Sequence, residues 1–165
     1  MNIFQLIHRM GQFKNALFAK VNNEEISEIS QYLDADEISL FLSMSIIDQR
    51  HSLDVFNTSK TIIHDYPDAN VALTFKAVLL HDVGKSKFDL SLLDRILATL
   101  PKKLVKRAFF WKYQHVMDYK YLHPSLSAEM VSNEAIKPWV KVHYDVVHAE
   151  DPPELKVLKI SDSLN

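Results

Sequence analysis

Residues 77–88 read AVLLHDVGKSKF, an apolar run that ends in His81 and Asp82, followed by Gly84 and Lys85. Ala77 to Leu80 are apolar at every position, so this turn reads as the buried end of a helix. An uncompensated buried carboxylate costs on the order of several kcal/mol, so the His–Asp pair needs a partner. Helices often finish in polar residues, and the rest of the sequence decides what this pair is for.

Apolar residues recur at helical spacing along nearly the whole chain, and no segment alternates like a strand. With only two glycines, Gly11 and Gly84, the composition suits helices better than hairpins. Helices are predicted over about 2–20, 23–33, 35–65, 68–83, 89–98, 101–118, 124–132, 134–148 and 153–164. Pro67 and Asp68 separate two of them. Gly84 predicts a left-handed C-cap, and Pro101, Pro124 and Pro153 each predict a first helical position. The fold class is therefore all-α, a single compact helical domain. Residues 1–34 are expected to form a helical extension packing on a main domain at 35–165.

The chain has 165 residues, 47% of them hydrophobic and 24% charged, which is ordinary for a globular domain. Its formal net charge of -2 gives no general affinity for nucleic acid or acidic membranes. The absence of cysteine excludes disulfides, thiolate zinc sites and cysteine nucleophiles. It also fits a reducing compartment, so a cytoplasmic location is expected. No apolar run reaches the roughly 18 residues of a membrane span. His8, Arg9, Lys14 and Lys20 interrupt the N-terminal stretch, which predicts no signal peptide. Ile3, Ile7, Met10 and Leu17 share one helical face, expected to pack on the domain. Two isolated glycines rule out a Gly-rich phosphate loop, and there is no serine elbow with flanking glycines. Phosphate chemistry in this chain would need metals or basic side chains.

Several apolar stripes carry ionisable groups where a core residue belongs. Leu40, Met44, Ile47, His51, Val55, Thr58 and Ile62 follow steps of three and four. Val71, Phe75 and Val78 lead to Asp82, with His81 beside it. Ile136, Val140, His143 and Val147 repeat the device, and Leu155 and Leu158 lead to Asp162. His123 directly precedes Pro124, which predicts a helix start. One histidine on an apolar face usually means a hydrogen-bonded core residue. Several, with two aspartates on separate helices, are most simply explained by a divalent metal, which neutralises the carboxylates and takes the imidazole lone pairs. A His/Asp set without thiolates favours iron, manganese, cobalt or zinc over calcium. Lys85 meets phosphate charge, protonates a leaving oxygen or complements the helix dipole. PKKLVKR at 101–107 reads as a solvated basic face, Leu104, Ala108, Trp111 and His115 form a further stripe, and His8 and His64 read as structural.

The HD dipeptide within LLHDVGK, the histidine in DQRHSLDVF, LHPSLSAEM at 122–130 and KISDSLN at 159–165 together resemble the HD-domain metal-dependent phosphohydrolases. The resemblance covers roughly residues 48 to 165. It implies that His51, His81, Asp82 and Asp162 form the basic metal site, with Asp82 bridging when two ions bind. His123 matches a ligand to a second ion, and His143 is preferred over His148 as its companion because of its stripe and its separation from Asp162. One or two divalent ions are implied, with iron, manganese, cobalt, zinc or magnesium as candidates. Tyr144 stands where the family often has a second histidine, and no Gly-Tyr-Pro signature follows, so cyclic-di-GMP hydrolysis is not assigned.

The reading that follows is a phosphohydrolase acting through metal-activated water on a nucleotide or other small phosphate compound. Asp82 and Lys85 are its catalytic candidates. The alternatives are a non-catalytic metal-containing signalling or scaffold module, and a di-iron oxygenase.

Overall fold

The computed structural model describes residues 19–88, 90, 91, 94 and 110–165. Most of the helices expected at 2–20 and 89–98, the basic stretch 101–107 and His8 lie outside these residues. The described helices are α1 (Asn23–Ile29), α2 (Ala35–Leu42), α3 (Ile46–Ile62), α4 (Val71–Leu80), α5 (Phe110–Met130), α6 (Lys137–Lys141) and α7 (Pro153–Leu164). Short 3-10 turns at Ile63–Asp65 and Val83–Lys87 follow α3 and α4. Among the described residues there is no strand, and no helix is long and apolar enough to cross a membrane.

Side-chain caps set most of the starts. Asn22 and Glu25 form a reciprocal capping box at α1, and Asp34 and Glu37 form another at α2. Asn70 accepts the Leu73 amide at 3.1 Å to open α4. Each cap of this kind stabilises a helix by about 1 kcal/mol. Pro153 begins α7 where its missing N–H is harmless, so that helix occupies the predicted range.

The single helix predicted over 35–65 is in fact two. Ser45 is extended and caps α3 by accepting the Asp48 amide at 3.3 Å. Gln49 Nε2 donates to the carbonyls of Leu42 and Met44 at 3.2 and 2.8 Å, satisfying acceptors that the break exposes. The helix expected at 134–148 shortens to α6, and that at 68–83 to α4.

The opposite correction applies to Pro124. It does not start a helix but lies inside α5, which runs unbroken through it. An internal proline costs about 3 kcal/mol through its lost hydrogen bond and ring clash. Burial of Val116, Tyr119, His123 and Ser127, spaced by three and four residues on one face, offsets that cost. The stripe proposed through Trp111 and His115 is not a core face, since Trp111 is 73% exposed and His115 is also exposed. Tyr113 and Val116 take the buried side instead.

α3 and α4 pack together and both pack on α7, while α5 packs on the Val83–Lys87 turn and on α6. Phe56, Phe75 and Tyr32 meet edge to face, with centroids 5.1 to 5.7 Å apart. Ile29 and Leu33 belong to the same core as Val78, Leu79, Val140 and Leu158. The face that α3 buries carries Ser52, Val55, Phe56 and Ser59, so the stripe predicted through His51 is rotated. His51 sits at the edge of that face with a quarter of its side chain exposed. That edge opens onto a cavity.

Candidate metal centre

The last turn of α4 is buried on all sides, from Ala77 to Leu80 at 0% exposure. It therefore carries the two residues that follow it into the interior. His81 keeps helical dihedrals, whereas Asp82, at φ -105° and ψ 4°, leaves the helix and turns the chain into the Val83–Lys87 segment. Both side chains are essentially fully buried. α3 supplies His51, α5 supplies His123, the turn after α6 supplies His143 and α7 supplies Asp162.

Asp82 lies between two sets of imidazoles. Its Oδ2 is 3.3 Å from His81 Nε2 and 3.7 Å from His51 Nε2. Its Oδ1 is 3.2 Å from His123 Nε2 and 3.7 Å from His143 Nε2. Asp162 Oδ1 closes the first set at 3.0 Å from His51 Nε2 and 3.8 Å from His81 Nε2. The ligand-type atoms fall into three overlapping groups, each within 4.8 Å: His51, His81 and Asp82; His81, His143 and Asp162; and Asp82, His123 and His143.

The donor chemistry of this cluster fits a cation. Nδ1 of His81 lies 2.7 Å from the Val78 carbonyl, that of His123 2.9 Å from Tyr119, and that of His143 2.6 Å from Val140. A carbonyl only accepts, so each Nδ1 carries the proton, and in a neutral ring Nε2 presents a lone pair to the cluster. His123 Nε2 and His143 Nε2 face each other at 3.4 Å. Two lone pairs cannot bond to one another, but both can bind one ion. Among the described residues His81 Nε2 and Asp82 Oδ1 are buried without a hydrogen-bond partner. A buried carboxylate oxygen and a buried imidazole nitrogen left this way suit a cation placed between them.

The HD domain family model matches residues 49–165. The chain belongs to the HD domain family. Members are generally metal-dependent hydrolases that bind divalent metal. Neither the curated proteins nor the solved structures return a match.

In this HD domain the electrostatics of the cluster run in the same direction. Burial opposes the ionisation of Asp82, but the His81 and Lys85 charges outweigh it and hold the carboxyl well below the usual range. Burial likewise opposes the charge of Asp162, and His51 and His81 hold it low. Burial lowers the His81 imidazole, while Asp82 and Asp162 pull it up further, so two carboxylates demand positive charge at that nitrogen. Burial and the neighbouring His81 charge push His143 down to about 3, which keeps it a neutral lone-pair donor.

Gly84 does not form the left-handed cap that its position suggested; no glycine among the described residues has positive φ. The constraint is close approach. A Cβ on Gly84 would lie 2.4 Å from the His123 carbonyl oxygen and 2.5 Å from the Ser127 amide nitrogen. The Gly84 amide donates to Ser127 Oγ at 2.8 Å. Only a glycine lets the turn after Asp82 press on α5 at the residue that brings His123 to the cluster.

All six candidate ligands line or abut one cavity of about 390 Å³, and Lys85 lines it too. Lys85 Nζ forms an ion pair with Asp82 Oδ2 and lies 5.7 Å from the centroid of the Tyr119 ring. Burial lowers its ammonium, but Asp82, Tyr119 and Asp48 raise it further, to well above the ordinary lysine value. His148 is exposed and stands outside the cluster, as does the exposed His64. The sequence reading missed four residues of the cavity wall: Tyr144, Asp145, Lys159 and Ser163. Lys159 had a signal, since it precedes Asp162 by one helical turn and shares its face.

Proposed function

We propose that this HD domain is a metal-dependent phosphohydrolase acting on a small phosphorylated compound, a nucleotide among them. The observation that supports this most is Asp82, whose two carboxylate oxygens each face a different pair of imidazoles. His51, His81, Asp82 and Asp162 are the residues that would hold one ion. His123 and His143 would hold a second, with Asp82 shared between the two. A divalent ion bound there supplies Lewis acidity and water activated near neutral pH.

The chain's own residues do the rest. Asp82, ionised across the neutral range, would hold the ion or ions and orient the attacking water, whose proton passes to solvent. Lys85 stays an ammonium and meets the charge of the phosphoryl oxygens. Hydrolysis then joins a water oxygen to phosphorus and releases the leaving group with a proton from solvent. The cavity admits substrate along the side formed by the exposed Tyr144, Asp145 and Ser163.

The test is metal analysis of the purified protein, followed by phosphatase and phosphodiesterase assays with added manganese, cobalt or iron. The expected result is bound divalent metal and turnover of at least one phosphate ester or anhydride. Filled metal sites with no turnover on any of them would leave a non-catalytic module. Oxygen-dependent turnover with a redox-active iron pair would leave an oxygenase.

The two-ion arrangement makes a separate prediction. His123→Gln is expected to halve the metal content of a two-ion protein, since His51, His81 and Asp162 do not depend on it. Hydrolysis is expected to fall about 100-fold, or about 2.7 kcal/mol at the barrier. Metal titration of the variant beside the parent reads the stoichiometry directly. Two ions retained at parental affinity would remove His123 from the set.

A further inference from the structure

Lys159 is a lysine whose side chain is 2% exposed, one turn before Asp162 on α7. Its Nζ donates to the Val146 carbonyl at 3.0 Å and to Asp151 Oδ2 at 2.8 Å. The same Asp151 oxygen accepts the His148 amide at 2.9 Å. These contacts all fall on the segment 144–151, which joins the His143 turn to α7.

At its start that segment is held by the Tyr144 ring, which meets His123 edge-on at 5.8 Å between centroids and carries Lys120 Nζ 5.9 Å over its face. Beyond Tyr144 every residue to Glu150 is exposed, and the contacts that hold it are polar. Its backbone contributes the Asp145 amide to the Val142 carbonyl at 3.1 Å and the Asp151 amide to the His148 carbonyl at 3.3 Å. Lys156, less buried than Lys159, adds one bond to the Ala149 carbonyl at 2.6 Å. Yet Tyr144 and Asp145 form part of the cavity wall, and so does Lys159 itself.

Stability does not explain the arrangement. A buried ion pair roughly breaks even against an apolar replacement of similar size, because desolvation offsets the attraction. What the pair does supply is geometry. The helix that carries Asp162 also carries the cation that fixes the opposite lip of the cavity. Two of the three ammonium donors are used by the lip.

We infer that Lys159 is the positioning residue that clips the lip 144–151 to α7 and thereby sets how tightly the cavity holds an anionic substrate. The inference rests on reading this cavity as the substrate site. Asp151 is the anchor for the clip, and the His148 amide with the Lys159 charge holds its carboxyl below the usual range.

The test compares the metal-loaded parent with Lys159→Met, which keeps length and burial but removes the charge. Metal stoichiometry is expected to be unchanged and the lip amides at 145–151 to exchange faster. With p-nitrophenyl phosphate, KM is expected to rise about tenfold with kcat within about threefold, the signature of lost uniform binding. Inorganic phosphate affinity, measured by calorimetry, is expected to fall by a similar factor. Asp151→Asn keeps an acceptor for the His148 amide and removes the counter-charge, and carries the same expectation if Lys159→Met does not fold. Unchanged KM and phosphate affinity in the folded variant overturn the inference, as does loss of metal from it. A parent that hydrolyses no phosphate compound overturns the hydrolase reading alone, and the clip is then judged on phosphate affinity and amide exchange.

Discussion

Asp82→Ala is expected to leave the purified protein without divalent metal and without hydrolysis. Asp82 lies between the two imidazole pairs, with Oδ2 toward His51 and His81 and Oδ1 toward His123 and His143. Removing it takes a ligand from each ion at once. It also leaves Lys85, with 16% of its side chain exposed, without its counter-charge. Breaking a buried pair from one side costs about 3–5 kcal/mol, so the variant is also expected to be less stable. Asp82→Asn separates the two effects, because it keeps the volume and removes the charge. Elemental analysis of folded protein, set against metal-stripped parent, is the decisive measurement. Parental metal content in either variant would defeat the assignment of this cluster.

The second large effect is expected at Gly84, a residue with no ionisable group. A single methyl there meets the backbone of α5 at His123 and Ser127, at 2.4 and 2.5 Å. Backbone atoms in a helix cannot swing aside as a flexible side chain would. Overpacking of a core costs about 1–3 kcal/mol and occasionally more, and Gly84→Ala belongs at the upper end. A loss of about 3 kcal/mol lowers Tm by about 6–12 °C in a domain of this size. The protein can relieve the clash only by moving α5 away from the turn that follows Asp82. His123 Nε2 would then retreat from Asp82 Oδ1, so affinity for the second ion is expected to fall more than affinity for the first. Thermal unfolding and metal titration of Gly84→Ala check both parts. A variant with parental Tm and parental metal binding would show that the close approach does not matter.

The two variants report on different links of one chain of causes. Asp82 acts through charge at the cluster itself. Gly84 acts through packing that places one of the cluster's imidazoles. His123→Gln lies between them, removing that imidazole without disturbing the contact.

How much of this was legible beforehand varies from element to element. The helical spacing of apolar residues and the near absence of glycine point to an all-α chain, and the structure is all-α across its described residues. The proline at 153 marks the start of α7. The stripes mark out His51, Asp82 with His81 beside it, His143 and Asp162, and the resemblance to the HD-domain family adds His123; these six meet around the cavity. Each of these is a local property, written in steps of three and four residues along one helix.

The misreadings share a cause. Ser45 looked like one more helical residue until its side chain, with Gln49, was seen to serve the ends of two helices. Pro124 looked like a start until burial on both sides of it was seen to carry α5 through. Gly84 looked like a matter of dihedral freedom and is a matter of space, and His51 looked central and is at an edge.

The sequence by itself determined which side chains were available, that they sit on helices, and the chemistry of their donors. Only the tertiary structure decided that Asp82 divides its oxygens between two imidazole pairs and that Lys159 reaches the lip beyond His143. Periodicity fixes directions within an element, because backbone hydrogen bonds repeat every turn. Distances between elements come from how side chains of different sizes interlock across helices, and no repeat along one strand of sequence encodes that.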